Sequence, residues 1–103
     1  MSRIDKLKEM RLQQPDDNFL KHALALEIIK TGDDAAARSL FESILSRDPS
    51  YVGSYYHLGK LLERLGDTEA AIKIYEQGMS ECKKMNDMHA LNELRGAYDD
   101  LTT

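Results

Sequence analysis

Apolar residues recur along this chain at spacings of three and four, the period of one helix face. Leu20, Ala23, Leu24, Ile28 and Thr31 form such a stripe within residues 17–31. Ala37, Leu40, Phe41, Ile44 and Leu45 form a second, and Tyr51, Tyr55, Leu58, Leu62 and Leu65 a third. Ile72, Tyr75 and Met79 carry a fourth, on a helix expected to run from Thr68 to near Lys84. Ile4, Leu7 and Met10 mark a helix within residues 3–13, and Met88, Leu91, Leu94, Tyr98 and Leu101 mark one within residues 87–101. That makes six helices. No run of alternating polarity paired by a turn competes with them, so the expected fold class is all-α.

The punctuation fits these elements. Gly32 and Gly66 supply the left-handed conformation that ends a helix. Asp33 or Asp34 can cap the helix that follows Gly32. Asp48-Pro49-Ser50 breaks the chain, with Ser50 as the expected N-cap of the next helix and Asp16, 34 residues earlier, in the same role. Lys83 and Lys84 stand where a third proline would fall and complement the dipole of a helix ending there.

The pattern repeats. Laid without a gap on residues 52–85, residues 18–51 give identities at Leu24/Leu58, Gly32/Gly66, Asp33/Asp67, Ala36/Ala70, Ala37/Ala71, Glu42/Glu76 and Ser46/Ser80. Pro15 and Pro49 share the 34-residue period. The stretch Tyr55-x-x-Leu58-Gly59-x-x-Leu62, with Gly66-Asp67, Ala71 and Tyr75, resembles the tetratricopeptide repeat (TPR). Leu24-Ala25-x-x-Ile28, Gly32-Asp33, Ala37, Phe41 and Asp48-Pro49 resemble a second copy, less regular at Lys21. The resemblance, closest to small stand-alone bacterial TPR proteins, implies one domain: a short right-handed α-solenoid of antiparallel helix pairs. Its parts are an N-terminal helix at 3–13, repeats at 18–51 and 52–85, and a capping helix at 87–101. It also implies that Ala25, Gly59, Ala37, Ala71 and Gly78 let helices approach closely, and that Phe41 and Tyr75 fill the gaps between units. The last helix has Asn92-Glu93 where the Leu-Gly pair is expected, and its polar residues suit an end whose outer face meets water.

Composition narrows the function. The chain has 103 residues, 42% of them hydrophobic, with 14 Lys plus Arg against 18 Asp plus Glu. That is enough for one small core. The longest apolar run, Ala23 to Leu26, is four residues, far from the roughly 20 of a membrane span. With a charged N-terminus and no secretory signal, the expected location is cytoplasmic. A net charge of −4 argues against a nucleic-acid partner, and the basic residues Arg3, Lys6, Lys8 and Arg11 are blunted by Asp5 and Glu9. His22, His57 and His89 fall in three different helices and make no zinc pair. Cys82 sits beside Lys83 and Lys84, which could lower its pKa, but no His or Asn completes a nucleophile's set. Gly59-Lys60 lacks the rest of a phosphate loop. No metal, cofactor or catalytic activity is expected.

Binding remains. In a TPR array the first helix of each unit lines the concave side. By that resemblance the lining is Phe19, His22, Leu26, Ile29 and Lys30 from the first unit, Tyr56, Lys60, Glu63 and Arg64 from the second, and Leu94 and Tyr98 from the last helix. The resemblance implies a non-catalytic protein–protein interaction module taking a peptide or partner helix there. A structural homo-oligomer built through exposed end helices is the alternative. TPR domains that grip a chaperone's C-terminal carboxylate use a Lys, Asn and Arg set. His22, Leu26, His57, Asp87 and Leu91 stand in its place, so no such clamp is expected.

Overall fold

Two glycines and four aspartates set most of the helix boundaries. The computed structural model describes residues 2–103 and contains six helices: α1 (Arg3–Gln13), α2 (Asn18–Lys30), α3 (Asp34–Arg47), α4 (Gly53–Arg64), α5 (Thr68–Met85) and α6 (Met88–Thr102). Gly32 and Gly66, at φ of 87° and 82°, turn the chain out of α2 and α4. Asp33, Asp67 and Asp87 each accept a hydrogen bond from the backbone N–H three residues on, at Ala36, Ala70 and Ala90. Each thereby satisfies one orphan donor of the helix it opens.

Two expected caps lie elsewhere. Asp17, not Asp16, caps α2 by accepting from the Leu20 N–H, and Asp16 instead pairs with Arg47. Ser50 does not cap α4: its N–H and hydroxyl both turn back to Asp48 Oδ1, at 3.2 and 2.5 Å. The chain makes a further turn through Tyr51 before α4 begins, and Val52 at the N-cap offers no side-chain acceptor. The Tyr55 hydroxyl pins this turn by donating to the Pro49 carbonyl at 2.7 Å.

Each helix packs on the next, and α6 also reaches α4, giving a slab of 43 × 29 × 20 Å. The TPR-like stack holds one continuous core, with Leu24, Ala37, Phe41, Ile44, Leu58, Leu61, Leu62, Ala71 and Tyr75 all but sealed from water. Phe41 lies between units, edge-on to His22 of α2 and stacked on His57 of α4 at centroid distances of 5.6 and 6.2 Å. Tyr75, its counterpart 34 residues on, lies with its ring above Gly59 and its hydroxyl donating to Glu63, both on α4. Gly78 is the close-approach point where α5 meets Tyr55 of α4 and Leu94 of α6. Lys21, at the position matching Tyr55, is buried with its Nζ donating to the Ser43 hydroxyl at 3.1 Å.

The last helix departs from the 34-residue phase. With no proline after it, α5 runs for 18 residues against 14 in α3 and ends at Asn86, which takes the left-handed conformation. Burial in α6 then matches burial in α4 through Tyr55/Leu91, Leu58/Leu94 and Leu61/Ala97, each pair 36 residues apart. The counterpart of Leu58-Gly59 is therefore Leu94-Arg95, not Asn92-Glu93. Thr31, Leu65, Met10 and Met88, expected on buried stripes, are exposed at the ends of their helices.

Candidate partner-binding face

One face of the stack is built from α2, α4 and α6, and aromatic and imidazole rings stitch its first two helices together. His22 Nδ1 meets the buried Ser54 hydroxyl at 2.8 Å. The His22 ring lies 5.4 Å from His57 and 5.8 Å from Tyr51, centroid to centroid. Tyr56 stands edge-on to His57 at 5.6 Å, and Lys60 Nζ sits 5.8 Å from the Tyr56 ring centre, within the range of a cation–π contact. The result is a half-buried ledge of rings ending in a cation. Such rings carry large contact area at little entropy cost on binding.

The ledge favours uncharged imidazoles. Burial lowers the pKa of His22, and the neighbouring His57 lowers it further. Burial is also the largest cause at His57, where Glu93 pulls upward and Arg64 downward. Two imidazolium charges this close would repel as well as lose solvent.

The expected lining residues separate into groups. His22, Tyr56 and Lys60 share the ledge, with Leu26 and Ile29 half-buried against the core beside it. Phe19 is 65% exposed on the first turn of α2. Lys30 is tied to Glu27 at 3.2 Å, and Glu27 also accepts from Arg3 of α1 at 3.0 Å. Glu63 takes the Tyr75 hydroxyl and stands 3.7 Å from Lys60. Arg64 reaches across to Asp34 through two contacts of 3.2 and 3.3 Å, so it braces α4 against the start of α3. Tyr98 is half-buried on α6. Leu94 is no lining residue. At 1% exposure it belongs to the core, because the longer α5 rotates it inward against Gly78. His57, expected only as a clamp position, completes the ledge together with Tyr51 and Ser54, which the repeat did not single out. Counting by 34 pairs His22 with Tyr56, so the contact of His22 with His57 is diagonal and invisible to the repeat.

Of the candidate clamp positions, Asp87 is spent capping α6 and Leu91 is core. Cys82 is fully buried, and burial, then Asp87 and Glu81, push its thiol pKa up rather than down. The flanking lysines are exposed and do not govern it. Among the described residues no group of His, Cys, Asp or Glu is placed to hold a metal ion, and no helix is long and apolar enough to cross a membrane.

The tetratricopeptide repeat profile matches residues 29–94. The chain belongs to the TPR family. A TPR repeat-containing protein of Pseudomonas aeruginosa, PA0015, is 26% identical over 91 residues, covering 88% of this chain and 87% of that one. A tetratricopeptide repeat domain protein from Salinibacter ruber, solved by NMR in solution, is 42% identical with a TM-score of 0.82, over 85% of this chain and 89% of that one. The TPR2B domain of yeast Sti1, solved in a complex with pHsp70, superposes with a TM-score of 0.88 over 96% of this chain and 79% of that one. At 15% identity this last likeness shows the fold alone. The chain is thus similar to small stand-alone bacterial TPR proteins, and the TPR fold is one of protein–protein interaction modules.

Proposed function

We propose that this TPR protein is a non-catalytic adaptor that takes a peptide or a partner helix on the concave face formed by α2, α4 and α6. One observation carries the reading: the ledge of His22, His57 and Tyr56 leading to Lys60, already ordered by contacts within the chain. An interaction face of this kind binds with little ordering cost, because its rings are fixed before the partner arrives. Half-buried Leu26 and Ile29 extend the ledge with apolar surface, and exposed Phe19 and half-buried Tyr98 stand on its outer helices. The cation at Lys60 favours a partner with a carboxylate beside its apolar anchor. The lone buried thiol of Cys82 suits a reducing, cytoplasmic setting.

A homo-oligomer through the end helices is the second reading, and exposed Met10 and Leu12 at one end with Met85 and Met88 at the other favour it. Arg95 counts against stacking on α6, since it stands where Gly59 makes room for Tyr75. The test is to select peptides on the immobilised protein and measure their affinity for the wild type and for Tyr56→Ala with Lys60→Glu. The adaptor reading expects a loss of about tenfold or more with an unchanged melting temperature. Peptides that bind both proteins equally would refute the concave face. A dimer at about 100 μM in light scattering, abolished by Leu12→Glu but not by the ledge variant, would favour the second reading.

A further inference from the structure

A groove of about 800 Å³ opens on the opposite side of α2, between α1 and α3. Leu24 and Ile28 of α2 form its floor, with Leu40 and Ala36 of α3 on one side and Lys8, Arg11 and Leu12 of α1 on the other. It has a counterpart one repeat on, between α3 and α5 over α4, of about 410 Å³. Six lining positions correspond at the 34-residue period: Lys8/Glu42, Arg11/Leu45, Leu12/Ser46, Pro15/Pro49, Leu24/Leu58 and Leu40/Ile74. The walls are thus the same helices in the same places, but their chemistry is opposite. The second groove is lined by Tyr55 and carries two carboxylates, Glu42 and Glu81. The first has Lys21 in place of that tyrosine, with its chain directed to Ser43, and carries two cations on one wall.

Those cations are unspent. Among the described residues neither Lys8 nor Arg11 pairs with a carboxylate, whereas Arg3, Arg38, Arg47 and Arg64 all do. Arg11 Nε is moreover the one buried side-chain nitrogen or oxygen there without a hydrogen-bond partner. Unpaired cations on the wall of an apolar groove are charged donors that an incoming carboxylate can pair with. Lys8 and Arg11 are one turn apart on α1, so both face the same occupant.

We infer that the α1/α3 groove is a second binding site, separate from the α2/α4/α6 face, for an acidic amphipathic helix of a partner protein. Its leucine-like stripe lies on Ile28 and Leu12, over a floor that Leu24 and Leu40 close from below, and a carboxylate on one flank meets Arg11 and Lys8. The small, uncharged residues Ala36 and Ser39 on the opposite wall leave room for the helix and demand no charge of its other flank. The protein would then hold two partners at once, one on each side of α2.

The test uses a blocked 16-residue helical peptide with leucines at i, i+3, i+4 and i+7 and glutamates along one flank, and a twin with glutamine for every glutamate. Both are titrated into the ¹⁵N-labelled full chain. The expected result is amide shifts at Leu12, Ile28, Ala36 and Ser39, with Tyr56 and His57 unmoved. Lys8→Glu with Arg11→Glu should weaken binding about tenfold or more, and the glutamine twin should be weakened alike. Ser39→Trp, which fills the groove from an exposed position, should abolish it, and Glu42→Lys in the second groove should change nothing. Equal affinity of the two peptides, shifts centred on the α2/α4/α6 face, or no shift at about 1 mM peptide would each overturn the inference. Only shifts on the α2/α4/α6 face would also bear on the Tyr56 ledge, in its favour, and the ledge has its own variant to separate the two readings.

Discussion

Gly59 and Gly96 are both helical glycines, yet replacing each by alanine should move stability in opposite directions. In an open helix, glycine to alanine stabilises by about 1 kcal/mol. A Cβ on Gly96 meets nothing within 4 Å, so Gly96→Ala should gain about that amount. A Cβ on Gly59 would sit 2.1 Å from Tyr75 Cε1 and 2.5 Å from Cζ. Tyr75 is wholly buried and its hydroxyl is held by Glu63, so the ring cannot simply swing aside. Overpacking of this kind costs about 1–3 kcal/mol, and moving the ring also forfeits a hydrogen bond to a carboxylate, about 1.5–3 kcal/mol more. Set against the propensity gain, Gly59→Ala should lose about 1.5–5 kcal/mol. For a chain of this size that lowers Tm by roughly 6–20 °C, at about 4 °C per kcal/mol. Urea unfolding of both variants measures the pair. Tyr75→Leu is the control: in that background Gly59→Ala should cost little, because the colliding ring is gone. If Gly59→Ala raised Tm as Gly96→Ala does, the close approach of α4 and Tyr75 would be wrong.

Other outcomes follow from the same contacts. Phe41→Ala removes the ring between His22 and His57 and should cost about 3–5 kcal/mol; a loss below about 1 kcal/mol in urea would contradict its place between the units. Gly66→Val forces a β-branched residue to a φ of 82°, so its melting temperature should fall clearly, and an unchanged value would refute the left-handed stop. The histidine pair makes stability depend on pH. Both folded pKa values lie below the ordinary histidine value of about 6.5, so the unfolded chain binds more protons as pH falls through that value. Stability should therefore be full above about pH 6.5 and decline below it, and His22→Asn with His57→Gln should flatten the decline. A slope in chemical denaturation unchanged by that double substitution would show that other groups cause it.

The adaptor reading and the two faces of α2 rest on different kinds of information. The two faces follow from helical geometry: Leu24 and Ile28 point one way, His22, Leu26 and Ile29 the other. This much is readable from residue spacing. The charge state of each face is not. Arg64 and Lys8 look alike in a sequence, but one is locked to Asp34 across a helix boundary and the other stands unpaired at a groove. Ion pairing depends on which distant residues the fold brings within reach.

Local features were legible from the sequence alone. Gly32 and Gly66 need a backbone conformation that few residues adopt, and a short-range hydrogen bond defines an aspartate cap, so the helix ends before and after them were plain. The 34-residue period likewise revealed two helix pairs and half a unit at each end. What the tertiary structure decided was where that period fails. An α5 without a closing proline runs on, the chain reverses later, and α6 arrives two residues out of phase, which buries Leu94 and leaves Arg95 on the surface. The ledge was hidden for a related reason. His22 and His57 meet because α2 and α4 pack side by side with a stagger, and a stagger between helices is set by side-chain packing in three dimensions rather than by spacing along one.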